Sequence, residues 1–128
     1  MNSRDLFINE FRGETLGQIS DQVSVEEAFQ NATLRPILKL QNDLILLVFQ
    51  NYIMKNKIPF NNFSVDKKMS TIETIIAKDS QLQNTLKGIV LGLLTSDECL
   101  FYFDTISNCN KRIRAMLIER LQSQLQLL

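Results

Sequence analysis

A chain of 128 residues, with 45% apolar and 22% charged side chains, is long enough for one folded domain with a real core and not comfortably for two. Lys and Arg number 14 and Asp and Glu 14, so no net field draws in nucleic acid or an anionic membrane surface. Histidine is absent, which excludes Ser–His and Cys–His nucleophilic catalysis, a histidine general base and any metal site built on imidazole.

Glycine and proline are scarce, at four and two, and the alternating β-branched and aromatic pattern of strands does not occur. The expected fold is all-α: one domain over residues 1–128, a compact bundle of five to seven helices around a long central helix at about residues 33–57. Charge is uneven along it. Residues 1–32 carry two basic and six acidic side chains, whereas residues 33–57 carry four and one. An acidic N-terminal segment lying across basic helices is the simplest arrangement. The two cysteines, Cys99 and Cys109, form no CxxC pair, so reduced thiols are expected rather than a disulfide scaffold or zinc site. The N-terminus lacks a basic head followed by an apolar core, and the longest apolar run, Leu44 to Phe49, has six residues. A cytoplasmic protein without a membrane span is expected.

In chain order, Ser3 is placed to cap a first helix with Leu6, Phe7 and Phe11 on one face. Gly13 ends it, and residues 13–24 form a connector that lays Leu16, Ile19 and Val23 on something apolar. Ser24 with Glu27 fits the capping box and starts a helical turn at Val25 that buries Ala28 and Phe29. Pro36 is tolerated only near a helix start, so a break is expected before Thr33, where the central helix begins. Its apolar arc is over-wide. Leu34, Ile37, Leu38, Leu44, Ile45, Val48, Phe49 and Tyr52 make the stripe, and Leu40 and Leu47 widen it. The helix should fade near Asn56, ahead of Pro59. Phe60 and Phe63 then plug its underside. Ser64, Ser80 (with Gln83) and Thr95 (with Glu98) cap three further helices. The last helix starts at Ser107 or Asn108 and runs to the end.

Few residues point to chemistry. Glu26–Glu27 and Asp97–Glu98 sit in first turns, where carboxylates answer the helix dipole. Gly88 and Gly92, four apart within a helix, suggest a close approach by the central helix or a backbone opened to a small ligand. Gln41 falls in the middle of the apolar face. Its amide needs a partner, such as Asn84 or a helix-end carbonyl, unless it lines a pocket or sets a dimer register. Arg35 at the edge of that stripe, and Arg120 within the arc of Ile113, Met116 and Leu117, should snorkel, meet a carboxylate or hold an anionic ligand. Lys111, Arg112 and Arg114 are too short a basic stripe for nucleic acid. Cys99 lies among apolar neighbours and reads as an inert buried thiol.

The segments FRGETLGQ, TLRPILKLQNDL and LIERLQSQLQLL resemble a group of short bacterial proteins along essentially the whole chain. Members of that group lack a characterised activity, and some carry the label glyoxalase. The resemblance implies an all-helical protein and transfers no site residue. Metal-dependent glyoxalases are βαβ-built and use histidine and glutamate ligands, neither of which pattern occurs here.

From its residues the chain reads as a non-enzymatic interaction module acting as a homo-oligomer, a dimer first, with no catalytic residue, cofactor, metal, nucleic acid or membrane partner. The alternative is a helical small-molecule binder or enzyme whose pocket gathers Arg35, Gln41, Gly88, Gly92 and Arg120.

Overall fold

The computed structural model describes residues 2–12 and 24–128, and all regular structure among them is helical. Residues 13–23 of the expected connector, with Gly13, Leu16, Ile19 and Val23, lie outside the described residues. The first helix, α1 (Ser3–Arg12), is capped not by Ser3 but by Asn2, whose Oδ1 accepts the Asp5 N–H at 2.7 Å. Its buried residues are Asp5 and Ile8; Leu6, Phe7 and Phe11 face outward.

Ser24 caps α2 (Val25–Phe29), as its spacing to Glu27 predicts. The break expected before Thr33 does not occur. A π-helical turn, Gln30–Leu34, joins α2 directly to α3 (Arg35–Leu40), and the Arg35 N–H reaches back five residues to the Gln30 carbonyl. Pro36 cannot donate to the ladder and its ring crowds the turn before it. A locally widened turn relieves that crowding without ending the helix.

The interruption comes later, at Gln41, with φ −93° and ψ 7°. Beyond it α4 (Asn42–Lys55) continues, since Gln41 still donates to Ile37 and accepts from Ile45. The C-terminus of α4 closes by two reverse bonds, Ile58 N–H to Ile53 and Lys57 N–H to Met54, around Lys57 at φ 53°. That is the Schellman arrangement, with lysine in the left-handed position that glycine usually takes. Phe60 then tucks under α4, its ring edge-on to Phe49 with centroids 6.1 Å apart. Phe63 lies against Phe60 and is covered by the Lys67 ammonium, 4.1 Å from its centroid.

Ser64 caps α5 (Val65–Lys78) as expected. The cap of α6 (Ser80–Leu91) is Asp79 rather than Ser80: its Oδ1 accepts the Leu82 N–H at 2.9 Å while Oδ2 accepts the Tyr52 hydroxyl. Thr95 and Glu98 form a complete capping box on α7 (Ser96–Asp104). The last helix, α8, runs Ile106–Gln122, and only a 3₁₀ turn, Leu125–Leu127, follows it. With the run 25–40 counted as one helix, seven helices are present among the described residues.

The core is built mainly where α8 packs on α5 and α6. Ile72 and Ile76, Leu82, Leu86 and Val90, and Ile113, Leu117 and Leu121 meet there, joined by Ile37, Ile45 and Phe49. The helix over residues 42–55 is therefore one wall of the bundle. It buries Ile45, Leu46 and Phe49 and leaves Leu44, Leu47 and Met54 exposed. No helix among the described residues is long and apolar enough to cross a membrane.

Candidate functional site

The residues singled out in the sequence do not converge. Gln41 donates its side-chain amide to the Ile89 carbonyl at 3.1 Å. Ile89 lies in the last turn of α6, where the Leu93 N–H bonds Val90 and leaves the Ile89 carbonyl without its usual ladder partner. Gln41 thus closes a helix end across 48 residues of sequence. Replacing it with leucine strands that carbonyl. We expect Gln41→Leu to lower the unfolding free energy by about 1–3 kcal/mol, with the oligomeric state unchanged, as read by thermal melts and light scattering. A gain in stability contradicts the capping role.

Among the described residues, no neighbour approaches the Cβ position of Gly88. A Cβ built there meets nothing within 4 Å, so the expected close approach of another helix is absent. Gly92 caps the C-terminus of α6, where an added Cβ meets only carbonyls of its own helix, and its own carbonyl accepts from Arg4. Both glycines belong to a helix end rather than to a pocket wall.

Arg35 and Arg120 do come together. They face a cleft of about 320 Å³ between α3 and the end of α8, with Leu38, Lys39, Met116 and Glu119. The Arg120 head donates to Asn42 Oδ1 at 3.2 Å, and Arg35 Nε to Asn31 at 3.0 Å. Among the described residues, neither guanidinium has a carboxylate within 4 Å. Burial, and then the positive charge of Arg35, hold the Arg120 pKa below its ordinary value.

Sequence reasoning missed the densest polar network. Arg12, with 9% of its side chain exposed, grips Glu98 through both terminal guanidinium nitrogens, Nη1 on Oε1 and Nη2 reaching Oε2 at 2.8 Å, and Nη1 also donates to the Leu93 carbonyl at 3.1 Å. The same carboxylate accepts the Thr95 N–H at 2.8 Å and the Thr33 hydroxyl at 2.9 Å. Burial alone would push the Glu98 pKa up, but the bonds from Arg12, Thr95 and Thr33 outweigh it and hold it below the usual value. Buried Asp5 accepts the Ser96 N–H at 3.0 Å and its hydroxyl at 3.3 Å. This clamp fastens α1 to the loop and cap between α6 and α7. Its sequence signal is faint: Asp5, Ile8 and Arg12 recur at i, i+3 and i+7, a mixed polar stripe that an apolar count passes over.

The other marked residues are ordinary. Lys111 and Arg112 are exposed, Cys109 is buried with its Sγ 3.1 Å from the Thr105 hydroxyl, and Cys99 is half-buried. No group of three or more acidic or thiol side chains among the described residues is placed to hold a metal.

What remains is the open side of α4. Leu44, Leu47, Asn51 and Met54 fall within one arc of that helix, and Leu40 adjoins them from the end of α3. Leu44 is 44%, Leu47 61% and Met54 72% exposed. A second apolar face lies on α1, where Phe7 and Phe11 stack with centroids 5.8 Å apart and planes 9° from parallel. Comparison with protein-family models, with curated proteins and with solved structures finds no match to this chain.

Proposed function

We propose that this protein is a non-enzymatic helical interaction module that pairs with a second copy of itself through the open face of α4. The observation that supports this is the run of Leu40, Leu44, Leu47 and Met54, large apolar residues left bare along successive turns of one wall. Single exposed leucines are normal, but a continuous stripe exposes apolar surface that association removes from water. Such stripes are what homodimer interfaces bury. The ends of α4 add a preference for antiparallel pairing. Asp43 lies in its first turn and Lys55 in its last, so two antiparallel copies bring opposite charges to each end of the pair. Antiparallel pairing also sets Leu44 opposite the partner's Met54 and Leu47 near the partner's Asn51, as a two-fold axis requires.

Sedimentation velocity over a range of concentrations tests this reading. The unmodified chain is expected to sediment as a dimer at tens of micromolar. Leu47→Glu places a carboxylate in the centre of the stripe and should give a monomer with unchanged helix content, because Leu47 takes no part in the core. A wild-type chain that stays monomeric throughout contradicts the proposal.

A further inference from the structure

The cleft between α3 and the end of α8 has the construction of an anion site, and it is independent of the α4 face. Three cations line it, Arg35, Lys39 and Arg120, against one carboxylate, Glu119, leaving a net two positive charges. A half-buried arginine ordinarily meets a carboxylate, as Arg12 meets Glu98 in this same fold. Arg120 does not. It spends one bond on an amide oxygen, and Arg35 likewise spends its Nε on an amide, so most of their N–H donors have no partner among the described residues.

The arrangement is also held in place. Asn42 and Gln124 exchange two amide bonds of 2.8 Å each, and Gln124 further donates to the Arg120 carbonyl at 2.9 Å. The amide oxygen that receives the Arg120 head is thereby fixed, and the guanidinium with it. A guanidinium fixed before the ligand arrives loses little freedom on binding. Ser123 adds a hydroxyl to the lining, and Leu38 and Met116 supply an apolar surface. About 320 Å³ lies at the small end of ligand sites, which span roughly 300–1,000 Å³. It exceeds what a bare oxyanion fills.

We infer that this cleft binds a small phosphate monoester, its dianionic head between Arg35 and Arg120 and its carbon skeleton against Leu38 and Met116. The charge selects the class: two surplus positive charges match a phosphate monoester, which carries about −1.5 to −2 near neutral pH, better than a single carboxylate. Planar guanidinium groups also present paired donors to phosphate oxygens.

Glycerol 3-phosphate is a suitable probe, titrated at millimolar concentrations into the full chain at fixed ionic strength, with glycerol and acetate as controls. Thermal shift and calorimetry should show saturable binding of glycerol 3-phosphate and little of either control. Arg120→Gln and Arg35→Gln should each weaken it about tenfold or more, whereas Lys78→Gln, exposed at the end of α5 and outside the cleft, should bind like the parent. Arg35 is exposed, so its variant keeps its fold even if Arg120→Gln does not. Equal binding by the parent and Arg35→Gln, acetate binding as tight as the phosphate ester, or no binding at all would each overturn the assignment.

Discussion

Arg12→Met is expected to cost roughly 2–4 kcal/mol, somewhat under the 3–5 kcal/mol typical of breaking a fully buried pair, because part of the Glu98 side chain still reaches water. Methionine keeps the bulk of the stem and removes only the charge and its donors. Glu98 then stays desolvated with the Thr95 N–H and the Thr33 hydroxyl but without a counter-charge. The loss is largely local. Ile8 and the Asp5–Ser96 contacts remain as the anchors of α1, so hydrogen exchange should accelerate in residues 3–12 well before the core opens. The sign of the pH dependence follows from Glu98. Its folded pKa lies below the ordinary carboxylate value, so the clamp contributes its full stability above that value, about pH 4.3. The contribution disappears only as pH falls through the depressed folded pKa. In Arg12→Met the depression shrinks, and the acid transition of α1 moves to higher pH. Exchange rates in α1 equal to those of the parent would show that Arg12 does not hold it.

The larger loss is expected at Phe49→Ala, at about 3–5 kcal/mol by chemical denaturation. Phe49 is wholly inaccessible and supports Phe60 edge-to-face from above. Truncation opens a cavity beside Phe60, whose ring is still held on its other side by Phe63, so the site closes only in part. A domain of this size has a total stability of only about 5–15 kcal/mol, so the variant sits near the edge of folding. Phe7→Ala is the contrast. Phe7 is 64% exposed, and the change should stay within about 0.5 kcal/mol. A Phe7→Ala loss comparable to that of Phe49→Ala would mean that the face of α1 is covered rather than open.

Much of the helical layout was legible in local chemistry. Ser24, Ser64 and Thr95 each accept the backbone N–H three residues on, as their spacing implies. Where two capping residues stand side by side the pattern chose wrongly: Asn2 and Asp79 take the roles expected of Ser3 and Ser80. Side-chain spacing alone does not fix which of two neighbours adopts extended backbone. Pro36 misled for a related reason, since the rule against interior proline assumes an α-helical turn before it and the chain uses a π turn instead. The width of the α4 stripe was plain in the sequence, but an apolar residue reads the same whether core or open face receives it. Leu44 and Leu47 turn outward and Ile45 and Phe49 inward. Arg12 and Glu98 stood furthest from view, because their meeting is a product of tertiary packing across 86 residues.

A dilution series of amide spectra tests the claim that the open face of α4 is a self-association surface most directly. On dilution from hundreds of micromolar to a few, the amide shifts of Leu40, Leu44, Leu47, Asn51 and Met54 should move together, with one dissociation constant. Leu47→Glu should show the diluted positions at every concentration. Spectra that do not change on dilution, or changes confined to Phe7 and Phe11 on α1, would contradict the account.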